Sequence, residues 1–449
     1  MRNPWRDLKG LPRGVWVLFF ATLVNRAGTM ALPFLVLYLT RLGYPASQAG
    51  LMLTVYGVSA LVTAPLAGRI ADRFGSLVVM EASLLSSGLV LMAFPVARGA
   101  WVAAAVALLA VTTESFRPAN LSSISELVAP DRRKAAFALH RLAVNVGMSI
   151  GPALGGLLAT VSFPALFRVD GATSVAAAVL LAVFFRRAGK RDAAAPVETG
   201  AANDAADAAA NDALGTTNDV ASETTGGAAA GAAKEHGPLT AREVLKEREA
   251  KGRGAVGREP FLRRQFGAFA DPRLAYFLAA LLPLLLILFQ NESVLALFLV
   301  RDLGMTEAGY GLMFTINTAL IVLLEVPLNS ATAHWSHRRA LSLGAALFAV
   351  GFGAYGLASS AWGVAACVVV WSFGEMIMLP ASSAYVAEIA PARKRGEYMG
   401  LYTMSFSLAF AAGPWIGTSV YERHGSRVVW AGALALGLLS AALLARVKR

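Results

Sequence analysis

The side chains in this sequence best placed to do chemistry are charges lodged inside long apolar runs. Arg26, beside Asn25, stands in the first run; Glu114 and Arg117 share a later one; Arg168 with Asp170, Glu292, Glu325 and Glu375 occupy others. A charge in hydrocarbon is costly, so each is a functional hypothesis by default. A buried carboxyl tends to keep its proton because desolvation disfavours the charged form, and a nearby guanidinium reverses that preference. A carboxyl whose burial or arginine contact changes with conformation can load a proton in one state and release it in another. Glu114 is the first choice for such a carrier, with Arg117 one helical turn away and Arg26 as a further partner. Glu292 and Glu325 come next, for protons or for a cationic group on a cargo. A static pair that holds helices together is the alternative for Glu114 and Arg117. Arg168 and Asp170 are two apart, do not face each other on a helix, and are expected to bridge to neighbours. Glu126 and Glu388, at the ends of their runs, read as structural.

These charges need a bilayer-spanning frame, and the composition supplies one. The chain has 449 residues, 56% hydrophobic and 15% charged, with a mean hydropathy of +0.57, too apolar for a soluble globular protein. Span-length windows give twelve helices, at approximately 14–40, 47–68, 77–97, 100–127, 135–160, 164–186, 273–300, 308–332, 340–359, 362–388, 397–420 and 427–445. Lys and Arg collect in alternate loops, as in Arg132-Arg133-Lys134 and Arg393-Lys394-Arg395, which predicts that both termini are cytoplasmic. The formal charge of +12 is read this way rather than as a nucleic-acid footprint. The run after the basic N-terminus is longer than a signal-peptide core, so an uncleaved first span is expected. Cys367, the one cysteine, is expected to fill space in an apolar run.

The chain is expected to divide into a six-helix bundle over 1–186, a cytoplasmic and largely disordered linker over 187–272, and a second six-helix bundle over 273–449. The linker is rich in Ala, Gly, Thr and Asn and has too few large apolar residues to fold. An internal repeat supports the two halves. Glu114-Ser-Phe-Arg-Pro118 and the later Gly151-Pro152 find counterparts in Glu375-Met-Ile-Met-Leu-Pro380 and Gly413-Pro414, and Gly50-Leu-Met52 is echoed by Gly311-Leu-Met313. Such repeats place a substrate between the halves near the bilayer midplane. Polar and aromatic groups at that depth are candidate cavity residues: Asn25, Asn120, Asn145, Gln290, Asn291, Asn317 and Glu375, with Tyr38, Tyr56, Phe116, Trp371 and Phe406.

Three motifs sharpen the reading. Gly147-Met-Ser-Ile-Gly151-Pro152-Ala-Leu-Gly155-Gly156 puts Gly147, Gly151 and Gly155 on one bare helical ridge. The string resembles the antiporter signature of drug:proton antiporters in the major facilitator superfamily. Gly68-Arg-Ile-Ala-Asp72-Arg73-Phe-Gly75 resembles the cytoplasmic loop signature of the same superfamily, although Ser76-Leu77-Val78 departs from the basic continuation usual there. Arg117-Pro118-Ala119-Asn120 resembles its arginine-bearing fourth-helix signature, without the downstream glycine.

The resemblance implies an all-α membrane protein of two pseudo-symmetric six-helix bundles. It implies a gating role for Gly68, Asp72, Arg73 and Gly75, and rocking about Gly147, Gly151, Pro152, Gly155 and Gly156. The implied activity is proton-driven efflux of amphipathic small molecules by a monomer in the bacterial inner membrane. Proton-coupled uptake of peptides or sugars is the alternative, and a non-transporting receptor or assembly factor on the same fold is a second. No nucleotide-binding loop is present, His334 and His337 lack further ligands, and neither enzyme chemistry, a metal nor a cofactor is expected.

Overall fold

The computed structural model describes residues 11–128, 133–194, 270–391 and 394–447. The expected linker lies outside the described residues except at its ends, where helix continues to Ala194, past the expected boundary at 186. Within the first half the helices are α1 (Arg13–Gly28), α2 (Ala31–Arg41), α3 (Ala46–Phe74), α4 (Ser76–Ala93), α5 (Ala100–Glu114), α6 (Phe116–Leu127), α7 (Arg133–Val161) and α8 (Phe163–Ala194). The second half holds α9 (Pro272–Leu288), α10 (Val294–Leu297), α11 (Glu307–Thr332), α12 (His337–Ala354), α13 (Ala361–Ile389), α14 (Arg395–His424) and α15 (Ser426–Leu444).

These make twelve passages among the described residues, because three of the expected spans are each built from two helices. Eleven passages are long and apolar enough to cross a membrane. The other, α14, has the length at 30 residues but carries charges at both ends. Large apolar side chains such as Val62, Leu89, Leu157 and Val326 are exposed, the inverse of a soluble surface and the pattern expected of faces that meet lipid.

Two of the interruptions follow from proline. A proline has no N–H to donate and crowds the carbonyl four residues earlier. Pro33 stands four residues after Thr29, where α1 gives way to α2, and Pro118 four after Glu114, where α5 gives way to α6. The break after α1 would strand the first amides of α2, and a distant side chain meets them. Asp170 Oδ2, on α8, accepts from Met30 N at 3.0 Å and Ala31 N at 2.8 Å. An anionic cap at a helix N-terminus is favourable both as a hydrogen-bond acceptor and against the helix dipole. Asp170 thus bridges to a neighbour as expected, while Arg168 is exposed. The break after α9 has no proline at the corresponding offset. Its polar groups are met by Gln290, whose Nε2 donates to Leu286 O at 2.8 Å and Gly413 O at 2.9 Å.

Ordinary caps start the second half. Asp271, Thr306, Ser336 and Ser360 accept from backbone amides at the starts of α9, α11, α12 and α13. Asp271 Oδ1 accepts from Arg273 N at 2.8 Å, and its Oδ2 from the Tyr398 hydroxyl at 2.7 Å. The Tyr398 hydroxyl first, then the Arg273 amide, hold the Asp271 carboxyl below its usual range against the opposing effect of burial. A carboxylate lowered on folding stabilises the fold above the unfolded pKa and loses that contribution as pH falls through its folded value. Asp271→Ala is therefore expected to cost about 1 kcal/mol at neutral pH. In thermal unfolding, the gap between variant and parent should close in acid.

Candidate functional site

Two neighbouring cavities, one between the halves and one within the second half against Met148, share Phe289 and Glu292, at the interruption after α9. The larger, about 500 Å³, is lined by Tyr56, Glu114 and Arg117 from the first half and by Phe289, Glu292, Phe406 and Phe410 from the second. Into the smaller, about 210 Å³, face Met148, Asn291, Glu292, Asn317, Trp371 and Glu375. The combined chamber is aromatic with a few convergent polar groups, the usual make-up of a small-molecule site. Its carboxylates differ in their company. Glu114 Oε1 accepts from the Tyr56 hydroxyl at 3.0 Å. Glu375 Oε2 accepts from Asn317 Nδ2 at 3.0 Å, and that same amide group donates to Ser372 Oγ at 2.9 Å. Glu292 Oε2 is buried without a hydrogen-bond partner. A buried polar atom left unsatisfied calls for an explanation, and a bound ligand or proton supplies one.

The glycine ridge on α7 packs in two directions. A Cβ on Gly151 would lie 2.9 Å from Arg26 O and Thr29 O, so this residue seats the interrupted first passage. One on Gly156 would lie 2.5 Å from Glu307 O and 2.8 Å from Ala308 Cα, on α11 of the other half. One on Gly311 would collide with Pro152 O, and one on Gly50 would lie 2.8 Å from Pro414 O. The two Gly-Pro carbonyls, Pro152 and Pro414, therefore each abut a glycine of the opposite half, Gly311 and Gly50, which are themselves repeat counterparts. Close backbone approach through small residues is the main packing device available in lipid.

A model of the Major Facilitator Superfamily matches residues 18–291 and again 274–449. The chain belongs to the major facilitator superfamily. An uncharacterized MFS-type transporter of Bacillus subtilis is 24% identical over 94% of this chain and 89% of its own length. A Na(+), Li(+), K(+)/H(+) antiporter of Planococcus maritimus is 20% identical over 87% of this chain and 85% of its own. The multidrug resistance protein MdtG of Yersinia enterocolitica is 31% identical, over 32% of this chain and 36% of its own length. Among solved structures, a POT family transporter in complex with a thioalcohol conjugated peptide superposes with a TM-score of 0.68 at 16% identity, over 98% of both chains. At that identity the likeness establishes the fold.

In this superfamily member the expected site residues divide into three groups. Glu114, Arg117, Glu292, Asn291, Asn317 and Glu375 line the chamber, with Tyr56, Trp371 and Phe406. Arg26 lies against the ridge, within electrostatic reach of Glu114 and Arg117, and its Nε has no partner. The others are engaged elsewhere. Asn25 Nδ2 donates to Ser174 Oγ at 3.3 Å, Asn120 Nδ2 to Thr22 Oγ1 at 2.9 Å, and Gln290 ties α9 to α14. Asn145 is half-buried on α7 and lines neither cavity. Tyr38 packs against Phe167 and Phe116 sits in the first-half core.

Two residues have contacts other than those expected. Glu114 and Arg117 form no ion pair among the described residues, because Ser115 interrupts the helix between them and the Tyr56 hydroxyl takes the carboxylate. Glu325 is outside the chamber and pairs with Arg141 of the first half. In the loop signature, Arg73 is exposed beside the Phe74 ring, and Gly75 takes a φ of 92° that lets α3 turn sharply into α4. The surroundings of Gly68 and the Asp72 side chain lie outside the described residues.

Several contacts escaped the sequence reading. Arg41 pairs with Glu307 and stacks over Phe163 at 5.0 Å, and Glu422 Oε2 accepts from Ser47 N at 2.7 Å. Both join the halves at the end where α2 stops and α11 starts. The buried Tyr310 hydroxyl lies 3.1 Å from Pro33 O and 2.7 Å from Asn291 O, linking two of the three interrupted passages. His140, on α7, has a buried Nδ1 without a partner. The only sequence signal for these was a polar group within or at the edge of an apolar run.

Proposed function

We propose that this chain exports amphipathic small molecules in exchange for protons by alternating access, as a monomer in a bacterial inner membrane. The observation that carries the reading is the pairing, in one chamber between two halves, of Glu114 on the first half and Glu292 on the second. Rocking of the halves changes the surroundings of both carboxylates at once, which is what proton loading and release require. The antiporter and drug-resistance relatives favour this direction of transport. The basic loops put both termini in the cytoplasm. The Arg41–Glu307 pair and the Ser47–Glu422 bond then join the halves at the periplasmic end, and the Arg141–Glu325 pair joins them toward the cytoplasmic end. Uptake with protons is the second reading, favoured by the superposition on a peptide-bound transporter.

The test uses purified chain in liposomes with an interior pH dye and an imposed proton gradient. Addition of a lipophilic drug panel should drive proton movement opposite to the drug. Glu114→Gln should abolish that movement while retaining drug binding. Proton movement in the same direction as an added peptide would replace export with uptake. Unchanged antiport in Glu114→Gln would remove that residue from the coupling.

A further inference from the structure

The larger chamber carries unmatched charges of opposite sign on opposite walls. Arg117, from the first half, is exposed within it and joined by no ion pair among the described residues. Glu292, from the second half, has a buried Oε2 with no partner. The third charge there, Glu114, accepts the Tyr56 hydroxyl and has the Arg26 guanidinium within electrostatic reach. The rings of Phe289, Phe406 and Phe410 line the same chamber, and the volume of about 500 Å³ suits a drug-sized molecule.

Each class of cargo meets this arrangement differently. A simple cation matches Glu292 but must share the chamber with an unanswered guanidinium. A simple anion matches Arg117 and faces the Glu292 carboxylate. A neutral apolar molecule covers both charges and satisfies neither, which leaves their desolvation uncompensated. A molecule with an acidic group at one end, an aromatic body and a protonated amine at the other satisfies both charges and the walls together. We infer that the cargo is an amphipathic zwitterion, its carboxylate held by Arg117 and its ammonium by Glu292. The inference rests on the transport reading and deepens it. Because the two anchors belong to different halves, such a cargo also ties one half to the other while it is bound, and a singly charged analogue does not.

The test is titration calorimetry on the full chain in nanodiscs with three probes of one shape. They are an aminomethyl-biphenyl carboxylic acid, its methyl ester, which is only cationic, and its N-acetyl derivative, which is only anionic. The zwitterion should bind at least about ten-fold more tightly than either derivative. Arg117→Gln should erase its advantage over the ester, and Glu292→Gln its advantage over the N-acetyl form, each without weakening the derivative that lacks the matching group. Ester binding as tight as the zwitterion, no zwitterion binding, or a preference untouched by Arg117→Gln overturns the proposal. If a variant fails to fold, the ranking of the three probes on the parent chain still decides. Failure of the transport reading looks different: no compound of any charge moves protons in liposomes, whatever the ranking of affinities.

Discussion

Gly311→Ala is expected to push the transporter toward the state open at the Arg41 end and to slow cargo flux severely. The added methyl would collide with Pro152 O, a backbone atom of a buried helix that has no flexible end to move aside. Overpacking of this kind costs about 1–3 kcal/mol, which converts to a roughly 5- to 150-fold shift between conformations when only one of them holds the contact. A transporter must visit both states, so a shift of that size appears directly in the rate. Spin labels at Gln48→Cys and Arg423→Cys, in a Cys367→Ala background, would report separation at that end. Gly432→Ala is the control, because a Cβ there meets nothing within 4 Å. Parental label distances and parental flux in Gly311→Ala would remove this contact from the gating account.

Asp170→Ala should give the largest loss of stability. The carboxylate accepts two amides, Met30 N and Ala31 N, at the buried break in the first passage. Truncation orphans both donors, each at about 1–3 kcal/mol, so a combined loss of about 3 kcal/mol is expected in thermal unfolding. Asp170→Asn keeps an acceptor oxygen and should cost distinctly less. Equal stability of the alanine variant, the asparagine variant and the parent would mean that water or relaxed backbone already serves those amides.

The contrast between these two sites shows what could be read in advance. Gly311 was visible as half of an internal echo with Gly50, and Pro152 as part of a signature string. Their meeting across the halves was not visible, since nothing local in either segment names its partner. For Asp170 a bridge to a neighbouring helix was expected, but the recipient was hidden. It became necessary only once Pro33 broke the first passage and exposed two amides 140 and 139 residues away in sequence. Pairing Glu114 with Arg117 by helical spacing failed for a related reason. Pro118 spoils the carbonyl register at Glu114, and the spacing rule assumes an unbroken helix.

By itself the sequence determined the twelve passages, their apolar exteriors and the twofold plan. Those properties follow from local composition and from the need to satisfy backbone hydrogen bonds within each span. It also marked the four charged residues of the chamber and its two asparagines, among others, as polar groups in apolar runs. Only the tertiary structure decided which of those groups face the cavity and which are spent holding helices, as Gln290 and Asn120 are. The reason is physical: an isolated polar group in lipid must find a partner, and the partner is chosen by helix packing, which brings together residues as distant as Tyr310 and Pro33.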